Sequence, residues 1–336
     1  MALWIAVAVA LGFALTNGFH DAANAIAALV ATRTATPKAA LVLATVFNVL
    51  GPLLLGAAVA ETVAGIVDVG PVATVQVLGA GLTAAVVWNV ITWRMGLPSS
   101  SGHALVGGLV GAGLLEGGTA AINWGGFDGL RPVGVIGVLV VMAISPVIGL
   151  LAGTLSDLGA RRAVRRATRR IDRPIRGGLW GTSAALAFSH GANDASKSVG
   201  IIAALLVAGG QINSYASTPL WARVLSALAL TLGTAMGGWT IVRTIGRRIY
   251  RIRPLDGLAS SGSSAVVIFG ASLLGAPVST TQVVASSVVG TGLGRGRMRR
   301  IRWRVVREIG VAWIVTMPAT ALLAVVFTPL WRWLTR

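Results

Sequence analysis

The sequence predicts an all-α, polytopic transmembrane helical protein, an inverted repeat of two five-segment halves with broken helices. Three observations predict it: an apolar composition, basic blocks that alternate between apolar runs, and two pairs of motifs that recur in order in each half. Of 336 residues, 55% are hydrophobic and only 11% are charged, with a mean hydropathy of +0.80. That is too little charge to cover a water-facing surface, so the bilayer is the expected solvent. With roughly 20 apolar residues needed per crossing, the chain has room for about ten crossings and little else.

Apolar runs fall near 2–31, 38–60, 72–95, 98–115, 132–155, 178–208, 217–243, 256–276, 277–294 and 309–333. The first run lacks a basic residue ahead of it and leads into a polar motif, so it is taken as a membrane segment, not a leader. The first and sixth runs are too long for one straight crossing. Each holds a polar, Gly-containing stretch, where a break is expected.

A net charge of +18 raises nucleic acid as a partner, but the placement of the charge argues against it. The blocks at 161–176, 243–253 and 295–307 hold most of the 28 basic residues, and Arg33, Lys38 and Arg94 fall in the other odd-numbered connections. Even connections hold only Arg131 and Arg223. By the positive-inside rule the odd connections are cytoplasmic, which puts both termini outside a multi-pass cytoplasmic membrane protein, with lipid as its surroundings. The expected organisation is membrane repeat 1 over 1–157, a basic cytoplasmic linker over 158–177, and membrane repeat 2 over 178–336. Five crossings per half is odd, so homologous halves lie inverted to one another. Without Cys there is no disulfide framework and no thiolate metal site.

The halves match twice. Asn17 to Asn24 (NGFHDAAN) aligns with His190 to Lys197 (HGANDASK) at an offset of 173. Pro98 to His103 (PSSSGH) aligns with Pro277 to Gln282 (PVSTTQ) at an offset of 179, and the likeness continues into 110–114 and 289–293. Two matches in the same order point to duplication.

Asp21 and Asp194 are the two carboxylates set deep within apolar segments, and the repeat makes them equivalents. A charge at that depth costs at least about 2.5–3.5 kcal/mol, so each is expected to face a cavity with a partner and to form a cation or proton site. Pro-x-Ser-[Ser/Thr] at 98–101 and 277–281 reads as a helix start, with Pro in the first turn and a hydroxyl capping free N–H groups. Two such starts meeting across a pseudo-twofold axis present amide dipoles and hydroxyls to a tetrahedral oxyanion. His20, His103 and His190 also lie in these elements, and histidine titrates near neutral pH. No P-loop and no His-Glu-x-x-His spacing is present, which argues against an ATP-driven pump, and no nucleophile and base pair stands out, so neither an enzyme nor a bound cofactor is expected.

At these motifs the chain resembles the inorganic phosphate transporter (PiT) family. The stretches are 18–27 (GFHDAANAIA), Trp88-Asn89 with Thr92-Trp93, 96–103 (GLPSSSGH), 188–197 (FSHGANDASK) and 277–281 (PVSTT). The resemblance implies a secondary transporter that takes up inorganic phosphate with H⁺ or Na⁺ by alternating access. It implies that Ser99, Ser100, Ser101, Ser279, Thr280 and Thr281 bind phosphate oxygens. It further implies that Asp21, Asn24, Asn193 and Asp194 line the cation and substrate region, with Na⁺ at Asp21, Asn24 and Asp194 as one form of the coupling site. His20 and His190 are placed with the coupling groups. Lys197, in the slot of Asn24, stands as a substrate-pairing or cation-replacing ammonium. Gly102 and Gln282 depart from the family pattern of Ser and His. A homodimer is an open expectation, and the alternatives are a sulfate or other oxyanion carrier and an anion channel.

Overall fold

The computed structural model describes residues 1–55, 58–296 and 298–336; Arg297 of the third basic block lies outside them. The first half comprises α1 (Ala2–Ala31), α2 (Pro37–Leu54), α3 (Ala58–Ala64), α4 (Pro71–Met95), α5 (Ser101–Gly117) and α6 (Gly134–Ala163). A short hairpin of β1 (Gly126–Asp128) and β2 (Arg131–Val133) precedes α6. The second half comprises α7 (Asp172–Ala208), α8 (Leu220–Met236), α9 (Trp239–Arg243), α10 (Pro254–Leu273), α11 (Thr280–Gly294) and α12 (Trp303–Leu334). Within 158–177, α6 runs on to Ala163 and α7 begins at Asp172.

Local chemistry sets several helix starts. Thr36 caps α2 by accepting from the Ala39 N–H at 3.2 Å, and Pro37, Pro71 and Pro254 occupy first turns, where a missing N–H costs nothing. Among the described residues six helices are long and apolar enough to cross a membrane, and a seventh span arises if α8 and Ile241–Arg248, bent by 72°, count as one. Chain length and composition leave room for about ten crossings. The difference has a physical cause: α7 and α10 carry buried serines, amides and charges against other helices instead of lipid, and α11 has only 15 residues. The result is a nearly all-helical multi-pass membrane protein.

The expected breaks inside the first and sixth runs are absent. α1 is continuous for 30 residues and α7 for 37. Their glycines mark close approach instead of a break. A Cβ on Gly18 would lie 2.0 Å from the Leu230 carbonyl oxygen of α8, and one on Gly191 would lie 2.3 Å from that of Asn48 in α2. The opposing glycines are as tight: Gly233 faces Leu15, and Gly51 faces Phe188. Small residues let the backbones touch, the usual solution where lipid supplies no hydrophobic drive.

The breaks fall between α4 and α5 and between α10 and α11, and they are built alike. Gly96 (φ 66°) follows α4 and Gly275 (φ 67°) follows the end of α10, each in a left-handed conformation that glycine adopts without strain. Leu97 O then accepts from Ser99 N, and Ala276 O from Val278 N, both at 2.9 Å. Ser100 and Ser279 cap the helices that follow. Contacts are likewise exchanged between halves: α1 packs on α8 as α7 does on α2, and α5 on α12 as α11 does on α6.

Four of the five odd connections, all but the α4–α5 break, lie against one another. Arg176, between the halves, donates to the carbonyls of Thr32 and Arg33, and Arg161 and Arg295 share Asp256. Between two even connections, Arg131 pairs with Glu61, and Val67 bridges Ile122.

Gly191→Ala is expected to push α2 off α7 at a cost of about 1–3 kcal/mol. Gly181→Ala, where a Cβ meets nothing within 4 Å, serves as its neutral counterpart. Melting of the two variants in detergent measures the difference; equal melting temperatures would refute the crossing as described.

Candidate functional site

α1 and α7 cross, and each brings its aspartate to the starts of α5 and α11. Asp21 accepts from the Ser101 hydroxyl at 3.2 Å and from the Thr281 hydroxyl at 2.5 Å. Asp194 accepts from the Thr280 hydroxyl at 2.8 Å and from the Lys197 ammonium. Both carboxylates are buried, and oxygens of Asp21 and Asp194 and a ring nitrogen of His190 all lie within 4.8 Å of one another. The two helix starts therefore share one centre, since Ser101 and Thr281 bond the same carboxylate from opposite halves.

The centre is only partly symmetric. Ser101 serves Asp21 as its equivalent Thr280 serves Asp194, each within its own half. Thr281 then reaches across to Asp21, but its equivalent is Gly102, which has no hydroxyl for Asp194. Lys197 takes that place. A Cβ on Gly102 would lie 3.5 Å from Lys197 Nζ and 2.8 Å from Met142 Cε. The ammonium also donates to the Val278 carbonyl at 2.9 Å. Asn24, the equivalent of Lys197, donates instead to Thr280 and Thr281 at 3.4 and 3.2 Å.

Not every expected residue joins this centre. The Ser100 and Ser279 hydroxyls are spent as caps on His103 N and Gln282 N, and Ser100 also bonds the His103 ring at 2.7 Å. Ser99 lies one layer back, bonded to Thr92 at 2.9 Å and to His20 Nε2 at 3.1 Å. His20 Nδ1 is 3.2 Å from Asp21, so it links that layer to the carboxylate. Asn193 faces away and braces the α10–α11 break, donating to Ser272 at 3.0 Å and to the Ala276 carbonyl at 3.1 Å. His190 Nε2 lies 3.0 Å from Asp194 Oδ2 but out of hydrogen-bond geometry, and Asn24 Oδ1 is buried without a partner.

One residue escaped sequence reasoning. Asn48 of α2 holds His190 Nδ1 at 3.1 Å with its oxygen and Thr234 at 3.1 Å with its amide. An amide inside an otherwise apolar run was the available signal, because such a group needs a partner at that depth.

Fold and site together define a polytopic helical membrane protein with a buried, ionisable, hydroxyl-lined centre between two half-length helix starts. The chain belongs to the phosphate transporter family, whose sequence profile matches residues 17–324; the family's members are transporters, not enzymes. A protein of Rhizobium meliloti (strain 1021) described as a "Probable low-affinity inorganic phosphate transporter" is 41% identical over 95% of this chain and 93% of its own. A protein of Bacillus subtilis (strain 168) with the same description is 34% identical over 95% of this chain and 94% of its own. A solved structure described as "The sodium-dependent phosphate transporter" shares the fold, with a TM-score of 0.86 over 98% of this chain and 99% of that one, at 24% identity.

Removing the Thr281 hydroxyl should leave Asp21 short of its closest donor. Thr281→Val is expected to destabilise the protein by about 1–3 kcal/mol, read as a lower melting temperature in detergent. An unchanged melting curve would mean that Asp21 does not depend on this bond.

Proposed function

We propose that the protein takes up inorganic phosphate across the cytoplasmic membrane by cation symport with alternating access. The observation that carries the proposal is the convergence of the α5 and α11 starts on two buried carboxylates and one ammonium. The first N–H groups of a helix have no partner within it and carry a positive dipole end, so two converging starts favour an anion. The hydroxyls of Ser101, Thr280 and Thr281 exchange from carboxylate to phosphate oxygen without being stranded. Ser99, Ser100 and Ser279 act by fixing the two starts in place.

Charge explains the coupling. Asp21, Asp194 and Lys197 leave the centre with one uncompensated negative charge, and a phosphate adds one or two more. Holding that total away from water is prohibitive unless cations enter as well. The buried oxygen of Asn24 and the carboxylates of Asp21 and Asp194 suit a hard cation such as Na⁺, which takes oxygen ligands, while His20 and His190 offer sites for a proton. These cations are cargo of the transport cycle. The Lys197 ammonium on Asp194 supplies one positive charge from the protein itself, so the second half needs no second cation, and we read the coupling ion as H⁺. The mirrored breaks and exchanged packing support two halves inverted in the membrane and rocking about the shared centre, and the arginine-rich odd connections support both termini outside.

Purified protein in liposomes, with Na⁺ and pH gradients imposed separately, tests this directly. Uptake of labelled phosphate should follow the pH gradient and show trans-stimulated exchange. A requirement for Na⁺ with indifference to pH would sink proton coupling, and sulfate uptake at equal rate would sink the anion assignment. Asp21→Asn is expected to lower uptake by roughly 100-fold. Gly102→Thr should impair folding and uptake by pressing on Met142 and crowding Lys197, and adding Lys197→Asn should restore part of the folding while making uptake depend on Na⁺. If the double variant is no better folded than Gly102→Thr alone, the two positions are not coupled.

A further inference from the structure

Away from the transport centre, six arginines from three segments line one cavity of about 620 Å³. Arg33 comes from just past α1, Arg247, Arg251 and Arg253 from the approach to α10, and Arg300 and Arg302 from the approach to α12. All six are exposed, and among the described residues none of their guanidinium groups is paired with a carboxylate. The neighbouring carboxylates are already taken by arginines outside the cavity. Asp256 is held by Arg161 and Arg295, Asp172 by Arg176, and Glu308 by Arg304.

The cavity wall is a fixed frame. Arg302 N donates to the Ile249 carbonyl at 2.9 Å, and the Tyr250 and Thr291 hydroxyls bond at 2.6 Å. Thr32 closes the end of α1 by donating to the Ala28 carbonyl at 2.8 Å, and Arg33 follows in the left-handed region (φ 55°). Six like charges held this close repel one another, and an anion with several acceptor oxygens relieves the repulsion. The guanidinium fork matches phosphate oxygens two at a time.

A second feature borders the first. Ile249 and Trp303, the chain neighbours of Tyr250 and Arg302, line an apolar slot of about 270 Å³ together with Leu150, Val289, Ile309 and Trp313. An arginine cavity next to an apolar slot matches the two ends of a phospholipid.

We infer that the arginine cavity binds a phosphate-bearing anion, and that the slot beside it favours an anionic phospholipid over free phosphate as the source. The occupant ties the end of α1, the helix of Asp21, to the starts of α10 and α12. It thereby bridges the first half to the second on the arginine-rich face.

The full chain is tested in two arms. Native mass spectrometry after exchange into nanodiscs of phosphatidylglycerol or phosphatidylcholine reads lipid retention, and calorimetry in detergent reads pyrophosphate binding. The expected result is selective retention of phosphatidylglycerol, weakened roughly tenfold by Arg251→Gln with Arg302→Gln. Arg304→Gln, which removes one charge outside the cavity as Arg33→Asn removes one inside it, should stay within about twofold of the unchanged chain. Arg33→Asn, in a separate segment and compatible with a left-handed backbone, should repeat the loss if the double variant folds poorly. Pyrophosphate binding lost in the same variants, without lipid retention, supports the anion site with free phosphate as its source. Binding of neither probe, an equal loss in Arg304→Gln, or no loss in Arg33→Asn overturns the inference.

Discussion

Two carboxylates buried at membrane depth are the constraint on which the rest of the structure depends. Neither Asp21 nor Asp194 is reachable by water, so each needs donors from the protein itself, and the supply determines the architecture. A continuous helix cannot turn its end groups inward, but a helix that starts mid-protein can. The α4–α5 and α10–α11 breaks therefore exist where the aspartates are, and their first hydroxyls are aimed at carboxylate oxygens. The arrangement is costly to assemble, since each donor has to be brought to membrane depth by the backbone that carries it.

Close backbone packing makes that placement rigid. α1 and α7 hold the aspartates because α8 and α2 press against Gly18 and Gly191, while α12 and α6 press against Gly107, Gly111 and Gly290 of the two short helices. The same residues that appear as helix breakers in a sequence thus serve as contact points. At Gly96 and Gly275, by contrast, the backbone turns left-handed and glycine lets α4 and α10 end at the two breaks.

The recurring motifs place two like half-sites at one centre, and the chain uses them unequally. Where Thr281 gives a hydroxyl to Asp21, Gly102 gives space, and Lys197 fills it with a charge. Neither substitution makes sense alone. A threonine at 102 would collide with Met142 and crowd the ammonium, and a neutral residue at 197 would leave Asp194 with one donor fewer. The asymmetry is a property of the pair.

Much of this was legible in the sequence. Composition and basic blocks specified a membrane protein, because the solvent of each segment follows from its side chains. The recurrent motifs specified Asp21, Asp194 and the helix starts at 98–101 and 277–281, because caps and prolines act locally. Tertiary structure alone decided that α1 and α7 run unbroken, that Asn193 turns away from the centre it was expected to line, and that Asn48 holds His190. It also decided that Thr281 crosses to the carboxylate of the other half and that six arginines from distant segments face one cavity. A local pattern fixes what a backbone segment prefers to do. Which donor meets which acceptor depends on residues as many as 260 positions apart, and only the packed helices bring those together.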